Sequence, residues 1–156
     1  MTTPGTHTDT IEVTGHGQAA GAPDLVVLDL RVQAEADSVT TALGAVAEGT
    51  RAVLERTAEH RTEGVPAPQT SGLNLHTRTD REGRAVVGFT ASQQLRLTVA
   101  GTELAGQLVT DVSEAAGDAL RIDGLSLRVA DPAELQTRAR EAAFDDARER
   151  AEQYAA

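Results

Sequence analysis

The stretch "VTGHGQAAGAPD", residues 13–24, places glycines at 15, 17 and 21. A dinucleotide loop of this composition needs a strand, a tight turn and then a helix, whose N-terminus holds the pyrophosphate. Here Gly21 leads to Pro23-Asp24 and then to "LVVLDLRVQAEA", which alternates like a strand. No helix dipole follows, so the motif lacks the context that phosphate binding requires. Gly15, Gly17 and Gly21 are read instead as backbone geometry. The expectation is a first strand over Ile11–Thr14, a bend or bulge at the glycines, and a turn fixed by Pro23. Strand is expected on both sides.

The rest of the chain follows from periodicity. Val26, Leu28, Leu30 and Val32 alternate with Val27, Asp29, Arg31 and Gln33, giving a half-buried strand with one wet face. Ser38 opens a helix with Leu43, Val46, Thr50, Val53, Leu54 and Thr57 at helical spacing; Gly64, Pro66 and Pro68 end it. "TSGLNLHTRTD" and "AVVGFTASQQLRLTVA" flank a Gly83 turn and read as a hairpin. Gln93 breaks its apolar face, which predicts a bend, bulge or rim there.

A second helix runs from a Thr102 cap to Gly117. A further strand carries Leu125, Leu127 and Val129. Asp131 as cap, Pro132 in the first turn and Glu134 behind it start the last helix. Its alanines at 139, 143, 147 and 151 would let it lie close on a sheet. Glu134–Arg138 and Asp146–Arg150 are spaced as favourable pairs. The order is β-β-α-β-β-α-β-α, an α+β fold with helices on one face of a largely antiparallel sheet. Residues 1–9 read as a disordered leader and 10–156 as one domain. The last helix reaches the terminus uncapped, as if a C-terminal continuation were missing.

Composition excludes several function classes. All 14 basic residues are arginine, so Schiff-base chemistry and a P-loop lysine are ruled out. A net charge of −10 argues against nucleic acid and anionic lipid. Cysteine is absent, removing disulfides, thiol nucleophiles and cysteine metal sites. The N-terminus has neither the basic nor the apolar region of a signal peptide, which gives a cytoplasmic expectation. No apolar run approaches the ~20 residues needed to span a bilayer.

Candidate chemistry is thin. His16, His76 and Asp29 lie on wet strand faces and would form a metal or ligand site if their strands were neighbours, but no ligand spacing supports this. His60 reads as a polar helix-face residue. Carboxylates at 141, 145, 146, 149 and 152 are interleaved with arginines, as in a solvated, paired helix face. Ser126 lies inside a strand and is no nucleophile elbow. The reading assigns no catalytic residue and no cofactor. It favours a non-enzymatic interaction module, homo-oligomeric or bound to a protein partner through sheet edges. The alternative is a small-ligand or metal-binding protein using the polar sheet face.

Six segments in order carry a family resemblance: "VTGHG" at 13–17, "APDLVVLDLRV" at 22–32, "QTSGLNL" at 69–75, "VVGFTASQQLRLTV" at 86–99, "RIDGLSLRVADP" at 121–132 and "AREAAFDDARERAEQYA" at 139–155. Their series resembles the SIMPL-domain family, which includes bacterial periplasmic immunogenic proteins. The resemblance implies a mixed α/β fold, no established catalytic residues and no obligate cofactor. It also implies stress-response and cell-envelope associations, with a periplasmic location as the alternative, and homo-oligomers. Two departures are the missing envelope signal and the short C-terminus.

Overall fold

A computed structural model describes residues 10–155. They form two compact units: residues 23–130, and residues 10–22 together with 131–155. The leader expected over residues 1–9 lies outside the described residues.

The larger unit contains strand β1 (Leu25–Ala36), helix α1 (Val39–Glu59), strands β2 (Gln69–Thr79) and β3 (Val86–Ala100), helix α2 (Gly101–Ala116), a 3-10 turn at Gly117–Ala119, and strand β4 (Leu120–Arg128). The sheet has the order β2-β3-β1-β4 and every pairing is antiparallel. This β-α-β-β-α-β arrangement is the split, ferredoxin-like topology. Helices α1 and α2 pack on the same core of β1 and β3. Val26, Leu28, Leu30 and Val32 of β1 meet Leu95, Leu97 and Val99 of β3, with Val53 of α1 and Leu108 and Val112 of α2 above them. The alternation read in the sequence therefore fixes which face is dry.

Local signals set the ends of these elements. The Ser38 hydroxyl accepts from the Thr41 N–H at 3.2 Å, capping α1. Gly117, at φ 53, closes α2. The start of α2 differs from expectation: Thr102 lies inside it, and the cap position is Ala100 with no side-chain bond. Gly101 makes the turn at φ 77, and its N–H donates to the Asp24 carbonyl at 2.9 Å. Asp24 also donates its own N–H to Arg128 O, and its carboxylate accepts from the Ala130 N–H at 2.6 Å. One residue, through its backbone and its carboxylate, thus ties the starts of β1 and α2 to the end of β4.

The irregularity expected at Gln93 is present in its partner strand. Ser71 pairs with Gln94 and Asn74 with Ser92, so Gly72 and Leu73 stand opposite Gln93 alone. Gly72 supplies the φ of 59 that the bulge needs. The Gln93 amide donates to the Ser71 carbonyl at 2.7 Å. The polar residue on a dry face therefore bonds the backbone of the strand at the bulge it faces.

In the smaller unit, helix α3 (Ala133–Ala155) follows the Asp131 cap, whose carboxylate accepts from the Ala133 N–H at 3.0 Å. The expected strand over Ile11–Thr14 is absent: residues 10–22 pair with no strand. Burial nevertheless alternates from Val13 to Ala19, as in an extended chain. The element order is one strand shorter than expected for this reason: the segment's neighbour is a helix, which offers no backbone ladder.

Candidate functional site

Three surfaces merit comparison: the glycine segment, the wet face of the sheet, and the flanks of the larger unit.

The glycine segment is a packing seam. A Cβ at Gly15 would overlap the Ala143 carbonyl and Ala147, and one at Gly17 would overlap Ala139 and Ala143. One at Gly21 would press on Leu135. The glycines thus read out the i, i+4 row 135/139/143/147, running antiparallel to it. The adjacent row, 138/142/146/150, grips the segment's backbone. Arg138 donates to the Ala20 carbonyl at 2.8 Å and Arg150 to the Thr14 carbonyl at 3.0 Å. Asp146 accepts from the His16 N–H at 2.7 Å. That bond holds the Asp146 carboxyl below its usual range, aided by the charge of Arg150 and opposed by desolvation. Arg150 also pairs with Asp146, as its spacing suggested. Arg138 reaches the segment instead of the Glu134 that its spacing suggested. Small residues on α3 therefore admit an extended chain where sequence reasoning placed a sheet.

The wet face of the sheet is a lattice of cross-strand ion pairs. Arg96 donates to Asp29 at 2.7 Å, Arg31 to Asp123 at 2.9 Å, and Arg78 pairs with Glu35 at 2.9 Å. The Asp29 hydrogen bond raises the pKa of Arg96 further above its ordinary value. Asp123 is the extra residue of a bulge in β4, opposite the step from Asp29 to Leu30. A depression of about 610 Å³ here is lined by Asp29, Gln69, Ser71, Gln94, Arg96 and Asp123. Its two carboxylates are already engaged by guanidinium groups, which leaves neither as a free base or metal ligand.

The suggested trio is not assembled. His76 is in register with Thr90, and Asp29 with Arg96, six residues further along β3. At 3.3 Å per residue they stand about 20 Å apart along the sheet. His16 belongs to the smaller unit. Among the described residues no three His, Asp or Glu side chains gather as a metal site would require. His60, expected on a polar helix face, is half-buried: its Nε2 lies 2.6 Å from the Asp111 carboxylate and links the C-terminus of α1 to α2.

The flanks are more apolar than the sequence suggested. All of β2 is exposed, with Leu73 59% accessible and Leu75 beside it. At the opposite edge Ile122, Leu125 and Leu127 of β4 are exposed, although they share the dry face with Leu30, Leu28 and Val26. Between α1 and β2 runs a groove of about 750 Å³. Leu43 and Leu54, at the margin of the α1 stripe, line it and are only half-buried. The spacing read in the sequence placed Leu43 and Leu54 in that stripe and missed the fully buried Ala42 at its other margin; which margin stays uncovered was not legible.

No helix among the described residues is long and apolar enough to cross a membrane. No curated protein matches the chain. Solved structures similar to it include AtUAH in complex with glyoxylate, at 13% identity and TM-score 0.39 over 73% of this chain and 28% of that one. An amidase of the hydantoinase/carbamoylase family from Burkholderia phymatum matches at 10% identity and TM-score 0.39, over 74% and 30%. The aminobenzoyl-glutamate utilization protein from Klebsiella pneumoniae matches at 19% and 0.36, over 72% and 31%. The chain thus spans less than a third of each of these proteins, and at these scores no activity is transferred from them. The family comparison is of another order, because the SIMPL description, "Protein of unknown function (DUF541)", matches residues 11–156. The chain belongs to the SIMPL family.

Proposed function

We propose that this protein is a non-enzymatic interaction module that associates with further copies of itself through the flanks of its four-stranded sheet. The observation that carries the reading is the apolar character of both flanks. Leu73 and Leu75 on one side, and Ile122, Leu125 and Leu127 on the other, are exposed on a small domain. Exposed apolar side chains gathered at a sheet edge are what a contact site presents. The wet face supports the same reading by contrast, since its carboxylates are held by arginines.

Sedimentation equilibrium across a wide concentration range tests it. A mass at least twice the 16.3 kDa of the chain, falling on dilution, is the expected result. A single 16.3 kDa species at every concentration overturns self-association.

A further inference from the structure

The α1 side of the groove has a pattern that suits one partner in particular. Leu43, Ala47, Leu54 and Ala58 form an apolar strip along α1, and Leu73 of β2 closes it from the other side. From Leu43 to Ala58 the strip runs about 22 Å, at 1.5 Å per residue. Its only charged residues are Arg51 and Glu55, one helical turn apart. Both are exposed, and among the described residues neither is in an ion pair, although Arg56 and Glu59 nearby do pair. The Thr50 hydroxyl, also on the groove, is shut from solvent without a hydrogen-bond partner.

We propose that a second copy of this chain docks along this flank, with the two α1 helices antiparallel about a two-fold axis. The proposal rests on the self-association reading above and names its surface. A two-fold contact requires a patch that complements itself: residue i meets j, and j meets i. An antiparallel pairing centred between Ala52 and Val53 has that property. Ala47 then stands opposite Ala58 of the second copy, where small side chains permit close approach. Arg51 reaches Glu55 of the second copy, and Glu55 reaches its Arg51. Thr50 lies beneath this contact, its hydroxyl closed off by its own chain. The bulge at Gly72–Leu73 interrupts the regular edge of β2, so side chains rather than a continued sheet make this contact.

Charge reversal tests the pairing. Arg51→Glu and Glu55→Arg each set like charges opposite one another and are expected to raise the dimer dissociation constant about tenfold or more. The double variant R51E/E55R restores opposite charges and is expected to recover wild-type association. Both positions are exposed, and circular dichroism melts check that each variant folds. Single variants that dimerise as wild type overturn this surface while leaving self-association standing. Weakened singles without recovery in the double variant overturn the antiparallel pairing. A wild-type chain that stays monomeric overturns this proposal and the functional reading together.

Discussion

At the scale of single residues, identical glycines have opposite consequences. Gly15 and Gly17 lie where a Cβ would meet the backbone of α3. Helix backbone cannot yield as a flexible side chain can, so Gly17→Ala is expected to weaken the seam by about 1–3 kcal/mol. Faster hydrogen exchange on either side of position 17 is the measurement; unchanged exchange would count against the seam. Gly44, inside α1, has open space around its Cβ position. There Gly44→Ala is expected to stabilise the fold by about 0.5–1 kcal/mol in a thermal melt.

Asp146 adds a pH dependence to the same seam. Its folded pKa lies below the unfolded value, because the His16 N–H favours the carboxylate. The stabilisation is therefore complete above the unfolded value near 4 and is lost as pH falls through the folded value. Exchange in the glycine segment should rise on that acid limb. In Asp146→Asn, which stays uncharged, the acid limb should flatten.

At the scale of elements, Gln93 shows how a local exception marks a structural device. Gln93→Leu restores the apolar alternation of β3 but removes the bond to the Ser71 carbonyl. A loss of about 0.5–1.5 kcal/mol is expected in denaturant melts. A gain would show that the bulge does not need the amide. Helix and strand positions were legible where periodicity and caps agreed, as at Ser38, Gly117 and Asp131. The segment at 10–22 was misread because alternation reports an extended chain with one covered face, whatever covers it. Its bonds to Arg138, Asp146 and Arg150 span more than a hundred residues. Local sequence carries no trace of such pairings. The same holds for His60 and Asp111, which meet only because α1 and α2 pack together. Arg96 and Asp29 alternate correctly in their strands, yet only the strand order β3-β1 makes them partners. The strand that follows Gly21 and Pro23 was readable from its own alternation.

At the scale of the whole molecule, what distinguishes this protein is the contrast between its surfaces. The wet face of the sheet is neutralised by its own ion pairs, whereas Leu73 and Leu75 on one flank and Ile122, Leu125 and Leu127 on the other remain uncovered. A net charge of −10 keeps copies apart at long range, so association should strengthen as salt screens that repulsion. Sedimentation at low and high ionic strength checks this, and a dimer that salt dissociates would instead point to a contact dominated by ion pairs. The central claim is that the flanks of the sheet meet another copy. Hydrogen exchange of the full chain, compared at dilute and concentrated conditions, tests it most directly. The account predicts slower exchange on concentration, confined to α1 and β2 or to β4 and its neighbours. Identical exchange at both concentrations would contradict it.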